Sequence, residues 1–279
     1  MTLRHGSGQA LRLRLNAPLR VIFMVAVMMA LLIITVDKLP THGIDLYVLY
    51  QAGETFMQGG NPYAMELHFY TPPWSLALLG PLSLLPLRLA GFIWTFVALL
   101  TWALVLRKLG IGPASAALFM LNPFFVRGLL LGSYDWLVLG GILLPMEWGA
   151  WLLFLKPQIT ISHLAWWASE HGMKAAWQVY APVGIFVAAA IMAGFWREPV
   201  LNEMWWNTSL GWKGIPVGLG LAALAFVNHD ELLALAAMPF LAPYVGVQSW
   251  AVAMLPLTRN PVLMVLGVGA GWYFFWVGG

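Results

Sequence analysis

Apolar runs recur along the chain at the length of a membrane crossing, separated by short polar stretches. Leu19 to Val36 is one such run, and Leu87 to Leu106 is another, closed by Arg107-Lys108. Between them lie residues 37–86, of which Asp37 to Pro73 is the longest polar stretch of the chain. Within it, Asp45 to Gln58 predicts a short helix, because Leu46, Leu49, Tyr50, Gly53 and Phe56 fall near one face. Gly59-Gly60-Asn61-Pro62 ends that helix. Trp74 to Leu85 is apolar but too short to cross, and Pro81 and Pro86 interrupt and close it, which predicts an interfacial or half-membrane helix. Pro113 to Leu121 is short and stops at Asn122-Pro123. Trp136 to Leu155 reads as one span with Pro145 and Glu147 in its middle, or as two very short ones. Ile159 to Trp167, Ala175 to Trp196, Leu210 to Val227, Leu232 to Val247 and Val262 to Val277 follow. The pattern predicts an all-α, polytopic transmembrane helical bundle of roughly eight to ten hydrophobic segments. It forms a single membrane domain over residues 1–279, with no internal repeat and no separate soluble domain.

Composition sharpens this. The chain is 61% hydrophobic and 9% charged, against about 25% charged in a soluble domain, so most of its surface must face lipid. Nucleic-acid binding, a secreted disulfide scaffold and a disordered tail are excluded. The net charge of +3 does not imply an acidic partner, since Arg4, Arg12, Arg14 and Arg20 crowd the N-terminus. Those arginines, against the single Lys38 after the first run, place residues 1–18 in the cytoplasm and residues 37–86 on the outer face of the cell's inner membrane. The first run ends in Val36-Asp37-Lys38-Leu39-Pro40 with no small-x-small cleavage site, so it reads as an uncleaved anchor. With no cysteine, disulfides, thiolate nucleophiles, Cys-ligated zinc and iron–sulfur clusters all drop out.

Motif chemistry is sparse. There is no phosphate-binding loop, no zinc-protease motif and no nucleophile elbow. The glycine pairs Gly128/Gly132, Gly214/Gly218 and Gly267/Gly271 have the spacing of close helix packing. Asp45 stands out: a carboxylate at a membrane interface among Tyr47 and Tyr50 is partly desolvated, which raises its pKa toward a useful general-base value. It also stands where an N-cap would. Glu54, Glu66 and His68 either line the same outer cavity or form a solvated loop face. Tyr134 and Asp135 open the next apolar run, with Asp135 again a possible cap. Arg127 is placed to pair with a phosphate or to reach lipid headgroups. Lys156 either binds a lipid phosphate or marks the cytoplasmic side. Asn228-His229-Asp230-Glu231 is a polar turn rather than a metal site, so neither metal nor cofactor is expected.

A set of local motifs carries a resemblance. Gly43-Ile44-Asp45-Leu46-Tyr47-Val48-Leu49-Tyr50 is followed by Gly59-Gly60-Asn61-Pro62-Tyr63, Tyr70-Thr71-Pro72-Pro73 and Pro81-Leu82-Ser83-Leu84-Leu85-Pro86, with Trp94 in the next span. This resembles the family 87 membrane glycosyltransferases, the former DUF2029 group, of the GT-C superfamily. Asn122-Pro123, Gly132 to Asp135, Lys156-Pro157, Asn207 to Leu210 and Pro239 to Tyr244 resemble its later landmarks in the same order. The resemblance implies a GT-C-like bundle that transfers a mannose-like or pentose sugar, with inversion, from a polyprenyl-phosphate donor to a glycolipid or glycan acceptor on the outer face. It implies Asp45 as catalytic base, with a cation among Arg127, Lys156 and His68 stabilising the leaving phosphate. The body between Asp135 and Lys156 is shorter than is usual in the family. That leaves a non-catalytic subunit or scaffold on the same fold, partnered with a membrane complex, as the alternative.

Overall fold

The computed structural model describes residues 17–66, 69–193 and 207–278. Among the described residues the chain is all-helical, and only an isolated bridge between Asn207 and Gly246 pairs extended backbone. Three helices are long and apolar enough to cross a membrane: α1 (Ala17–His42), α4 (Leu87–Lys108) and α10 (Met173–Met192). A fourth crossing arises if α5 (Pro113–Met120) and α6 (Pro123–Leu131), bent by 64° at Asn122-Pro123, count as one. The bend follows from the sequence: Asn122 accepts from Phe125 N at 2.8 Å as N-cap, and Pro123 restarts the helix at its first position.

The remaining apolar helices are shorter, the longest being Pro261–Gly278. α2 (Ile44–Met57) and α3 (Leu76–Ser83) pack on each other as a hairpin. Leu46, Leu49, Ala52 and Gly53 are buried on α2, whereas Phe56, expected on that face, is exposed. The helices touch at Gly53, where an added Cβ would strike the Leu79 carbonyl. Tyr50 anchors the hairpin to the start of α4 by donating its hydroxyl to Leu85 O at 2.7 Å.

The run from Trp136 to Leu155 is not one span. α7 (Asp135–Gly140) and α8 (Met146–Leu153) fold back on each other through a 3-10 turn, with Gly141 against Gly149 at the crossing and Pro145 starting the return. The hairpin therefore brings Asp135 and Lys156 to one end. Its tip reaches Lys108, whose ammonium donates to Ile142 O. After α9 (Ile161–His171), α10 and α11 (Ile215–Asn228), α12 (Glu231–Leu241) packs on α11 through Gly214 and Gly218. A loop then leads into the short α13 (Trp250–Ala253) and finally α14 (Pro261–Gly278). Asn207 holds that loop, donating to Pro243 O at 3.1 Å and accepting from Val245 N at 3.0 Å. Gly271 of α14 packs on Pro123.

Gly132 ends α6 at φ +70, where an added Cβ would strike Leu46 of α2, and Trp94 donates to its carbonyl at 3.0 Å. Gly132→Ala is expected to combine left-handed strain with a clash on Leu46 and to cost about 2–4 kcal/mol. Gly59→Ala has a similar φ of +77 but open space, so it is expected to cost only about 1 kcal/mol. Thermal unfolding followed by tryptophan fluorescence separates the two; equal losses would mean that Gly132 serves conformation alone.

Candidate functional site

Four chain segments converge where α2 begins. The α1–α2 junction supplies Asp45. The α6–α7 turn supplies Ser133, Tyr134 and Asp135. The end of the α7–α8 hairpin supplies Lys156, and the loop after α12 supplies Gln248 and Ser249. The centre is a buried ion pair, Lys156 Nζ to Asp135 Oδ1 at 2.5 Å. Asp135 also accepts from Ser133 Oγ at 3.1 Å and from Ser249 Oγ at 2.9 Å. A buried carboxylate needs such satisfaction to offset its lost hydration. The Lys156 ammonium also lies 5.3 Å from the Tyr134 ring centre. Burial disfavours the charged lysine, but Asp135 and Tyr134 outweigh it and hold the Lys156 pKa above its ordinary value. Burial pushes the Tyr134 phenol up to about 12, so it remains neutral, and the hydrogen bond with the Thr71 side chain opposes the rise.

Asp45 sits at the edge of this centre. It is not the N-cap of α2: Gly43 holds that position and no side chain caps the helix. Its Oδ2 instead accepts from Gln248 Nε2 at 3.4 Å. Although part of its surface is exposed, burial raises its pKa from 3.8 to about 6. Lys156 and Arg127 oppose the rise and Asp135 adds to it. The carboxylate is therefore mostly ionised at neutral pH and basic enough to accept a proton.

The structure brings Asp45, Arg127, Tyr134, Asp135 and Lys156 into one electrostatic neighbourhood. Arg127 is exposed on α6 and pairs with no carboxylate among the described residues, whereas Lys156 is committed to Asp135. Asp135 is not a cap either; the cap position of α7 is Tyr134, without a side-chain bond. Glu54 and Glu66 are exposed and do not join the cluster, and His68 lies outside the described residues. Ser133, Thr71, Gln248 and Ser249 were not singled out from the sequence. The Gln248-Ser249 pair, polar between Val247 and Trp250, was the available signal. Among the described residues no three His, Cys, Asp or Glu gather to hold a metal.

The enclosed space here is small. A cavity of about 20 Å³ lies among Gly128, Ser133, Asp135, Trp136 and Gln248, room for about one water. A much larger one, about 540 Å³, lies elsewhere, at the Lys108 end of α4. No protein-family model, curated protein or solved structure matches the chain.

Proposed function

We propose that this membrane protein is a GT-C-type glycosyltransferase that moves a sugar from a polyprenyl-phosphate donor to a hydroxyl of a glycolipid or glycan acceptor. The observation that carries the reading is Asp45: a carboxylate at the end of the first span, its pKa raised to about 6, with an exposed cation, Arg127, acting on it. Arg4, Arg12 and Arg14 ahead of the span support an outer-face position for that end. Asp45 takes the proton of the acceptor hydroxyl as its oxygen attacks the anomeric carbon from the face opposite the phosphate. The bond from that carbon to the phosphate oxygen breaks, the electron pair leaves with polyprenyl phosphate, and the configuration inverts. Arg127 stabilises the growing phosphate charge. Lys156, neutralised by Asp135, holds the α6–α7 turn in place rather than meeting the donor.

Transfer from labelled polyprenyl-phosphate sugars, in membranes carrying the full chain, tests this. Arg127→Met is expected to lower kcat by about 100-fold with little change in melting temperature, because the side chain is exposed. An unchanged kcat would remove Arg127 from the reaction. A second reading, a non-catalytic subunit on the same framework, is favoured by the small cavity at the ion pair. Absence of transfer by folded, inserted protein across several donor sugars would select it.

A further inference from the structure

The cavity at the Lys108 end of α4 carries its own chemistry, independent of the reading at Asp45. It lies between the α4–α5 turn, the α11–α12 turn and the 3-10 turn ending at Arg259. Most of its charges are already matched. Asp230 caps α12, accepting from Leu232 N at 3.0 Å and Leu233 N at 3.2 Å, and accepts from Arg259 Nη2 at 2.6 Å. His229 lies 2.7 Å from Glu170.

Two charges remain. Lys108 spends one N–H on Ile142 O and has two more. Glu231 lies 3.7 Å from His163, beyond hydrogen-bond reach. The His163 ring is buried with neither nitrogen bonded, and burial, helped by the Lys108 charge, pulls its pKa down to about 4. It is neutral at physiological pH and does not compensate Glu231. Lys108 and Glu231 line the same cavity, yet no ion pair joins them among the described residues. Beside Lys108, the N-terminus of α5 has no side-chain cap, and its Ser115 faces the cavity. Because Pro113 has no N–H, the amides of Ala114 and Ser115 are the first-turn donors left without an intrahelical acceptor.

One turn thus offers an ammonium and helix-end donors to an anion, and the other offers a carboxylate to a cation. A plain phosphate would be repelled by Glu231. A quaternary ammonium calls for aromatic faces, and no Phe, Trp or Tyr lines the cavity. We propose that this cavity binds a phosphoethanolamine group, its phosphate on Lys108 and the α5 N-terminus and its primary ammonium on Glu231. The volume of about 540 Å³ suits a small ligand. The place, at the end of a spanning helix, suits a phospholipid headgroup, although free phosphoethanolamine carries the same chemistry.

The test mixes purified full-length protein with phosphatidylethanolamine, phosphatidylcholine and phosphatidylglycerol of matched acyl chains. Retained lipid is read by native mass spectrometry, and free phosphoethanolamine is titrated calorimetrically. Phosphatidylethanolamine is expected to be retained about tenfold over phosphatidylcholine, and Glu231→Gln to erase that preference. Lys108→Met is expected to lower retention of phosphatidylethanolamine and phosphatidylglycerol together. Binding of the lipid alone identifies the headgroup as the source; binding of the free compound, with or without the lipid, shows that the group suffices. Equal retention of the ethanolamine and choline lipids with no calorimetric signal would overturn the proposal, as would a preference unchanged in folded Glu231→Gln. If that variant does not fold, stepwise N-methylation of the lipid amine makes the same test on the wild type, with retention expected to fall at each methyl.

Discussion

Asp45→Asn is expected to abolish sugar transfer and, at alkaline pH, to make the protein more stable. The rate loss is about 10²–10⁴-fold, the usual contribution of a general base, because the amide keeps the shape and the Gln248 contact but takes no proton. The stability gain follows from the raised pKa. In the unfolded chain Asp45 titrates near 3.8 and in the folded protein near 6, so the folded state holds its proton more tightly. Below about pH 4 both states are protonated and the group costs nothing. Between about pH 4 and 6 stability falls as pH rises, and above about 6 the cost is constant. Its size is about 1–3 kcal/mol, reduced from the full shift because the side chain is partly exposed. Asp45→Asn is thus expected to melt a few degrees above wild type at pH 8 and level with it near pH 4. The sixteen tryptophans supply the signal. The wild-type rate is expected to rise with pH through an apparent pKa near 6. Transfer retained in Asp45→Asn would exclude Asp45 as the base. A lower melting temperature at pH 8 would make it a structural residue instead.

The second large effect concerns the ion pair beneath it. Asp135→Ala or Lys156→Met alone is expected to cost about 3–5 kcal/mol, since each leaves the other charge buried without its partner. Asp135→Asn combined with Lys156→Met is expected to recover most of that loss. The amide oxygen keeps one of the two serine bonds, the amide nitrogen donates to the other serine's hydroxyl, and no buried charge remains. The Lys156 pKa is raised, so its contribution is complete below the ordinary lysine value and is lost only as pH rises through its higher folded value. In the intact protein the stabilisation from Lys156 should therefore be level from about pH 6 to 9. A double variant as unstable as the sum of the singles would show that the two residues act independently and that the pair does not hold the site.

Much of the architecture was legible because membrane solvent imposes lengths. Leu87 to Leu106 is long, uniformly apolar and closed by two cations, and it is α4. Asp45 to Gln58 and Trp74 to Leu85 were legible as short elements, because Gly59-Gly60-Asn61-Pro62 and the prolines at 81 and 86 stop the chain locally, and they appear as α2 and α3. Trp136 to Leu155 was ambiguous for an equally physical reason. Hydropathy reports that a segment avoids water, and a hairpin against protein avoids water as well as a span in lipid does. Only the contact of Gly141 on Gly149 distinguishes them. The same limit misplaced Phe56, because near the interface an apolar side chain need not face protein.

Residue order alone records helices apolar enough to cross a membrane, the points where the chain breaks, and an acidic group, Asp45, soon after the first apolar run. Those are local properties, written in transfer energy, proline, glycine and charge. Tertiary structure alone decided that Lys156 pairs with Asp135, that Gln248 and Ser249 return to the same site, and that Asp45 is no helix cap. Gln248 stands 203 residues from Asp45, and no period or local propensity records such a meeting. It depends on the α7–α8 hairpin and on the loop after α12, whose folding cost is offset by the packing of the whole bundle rather than by any signal the residues carry alone.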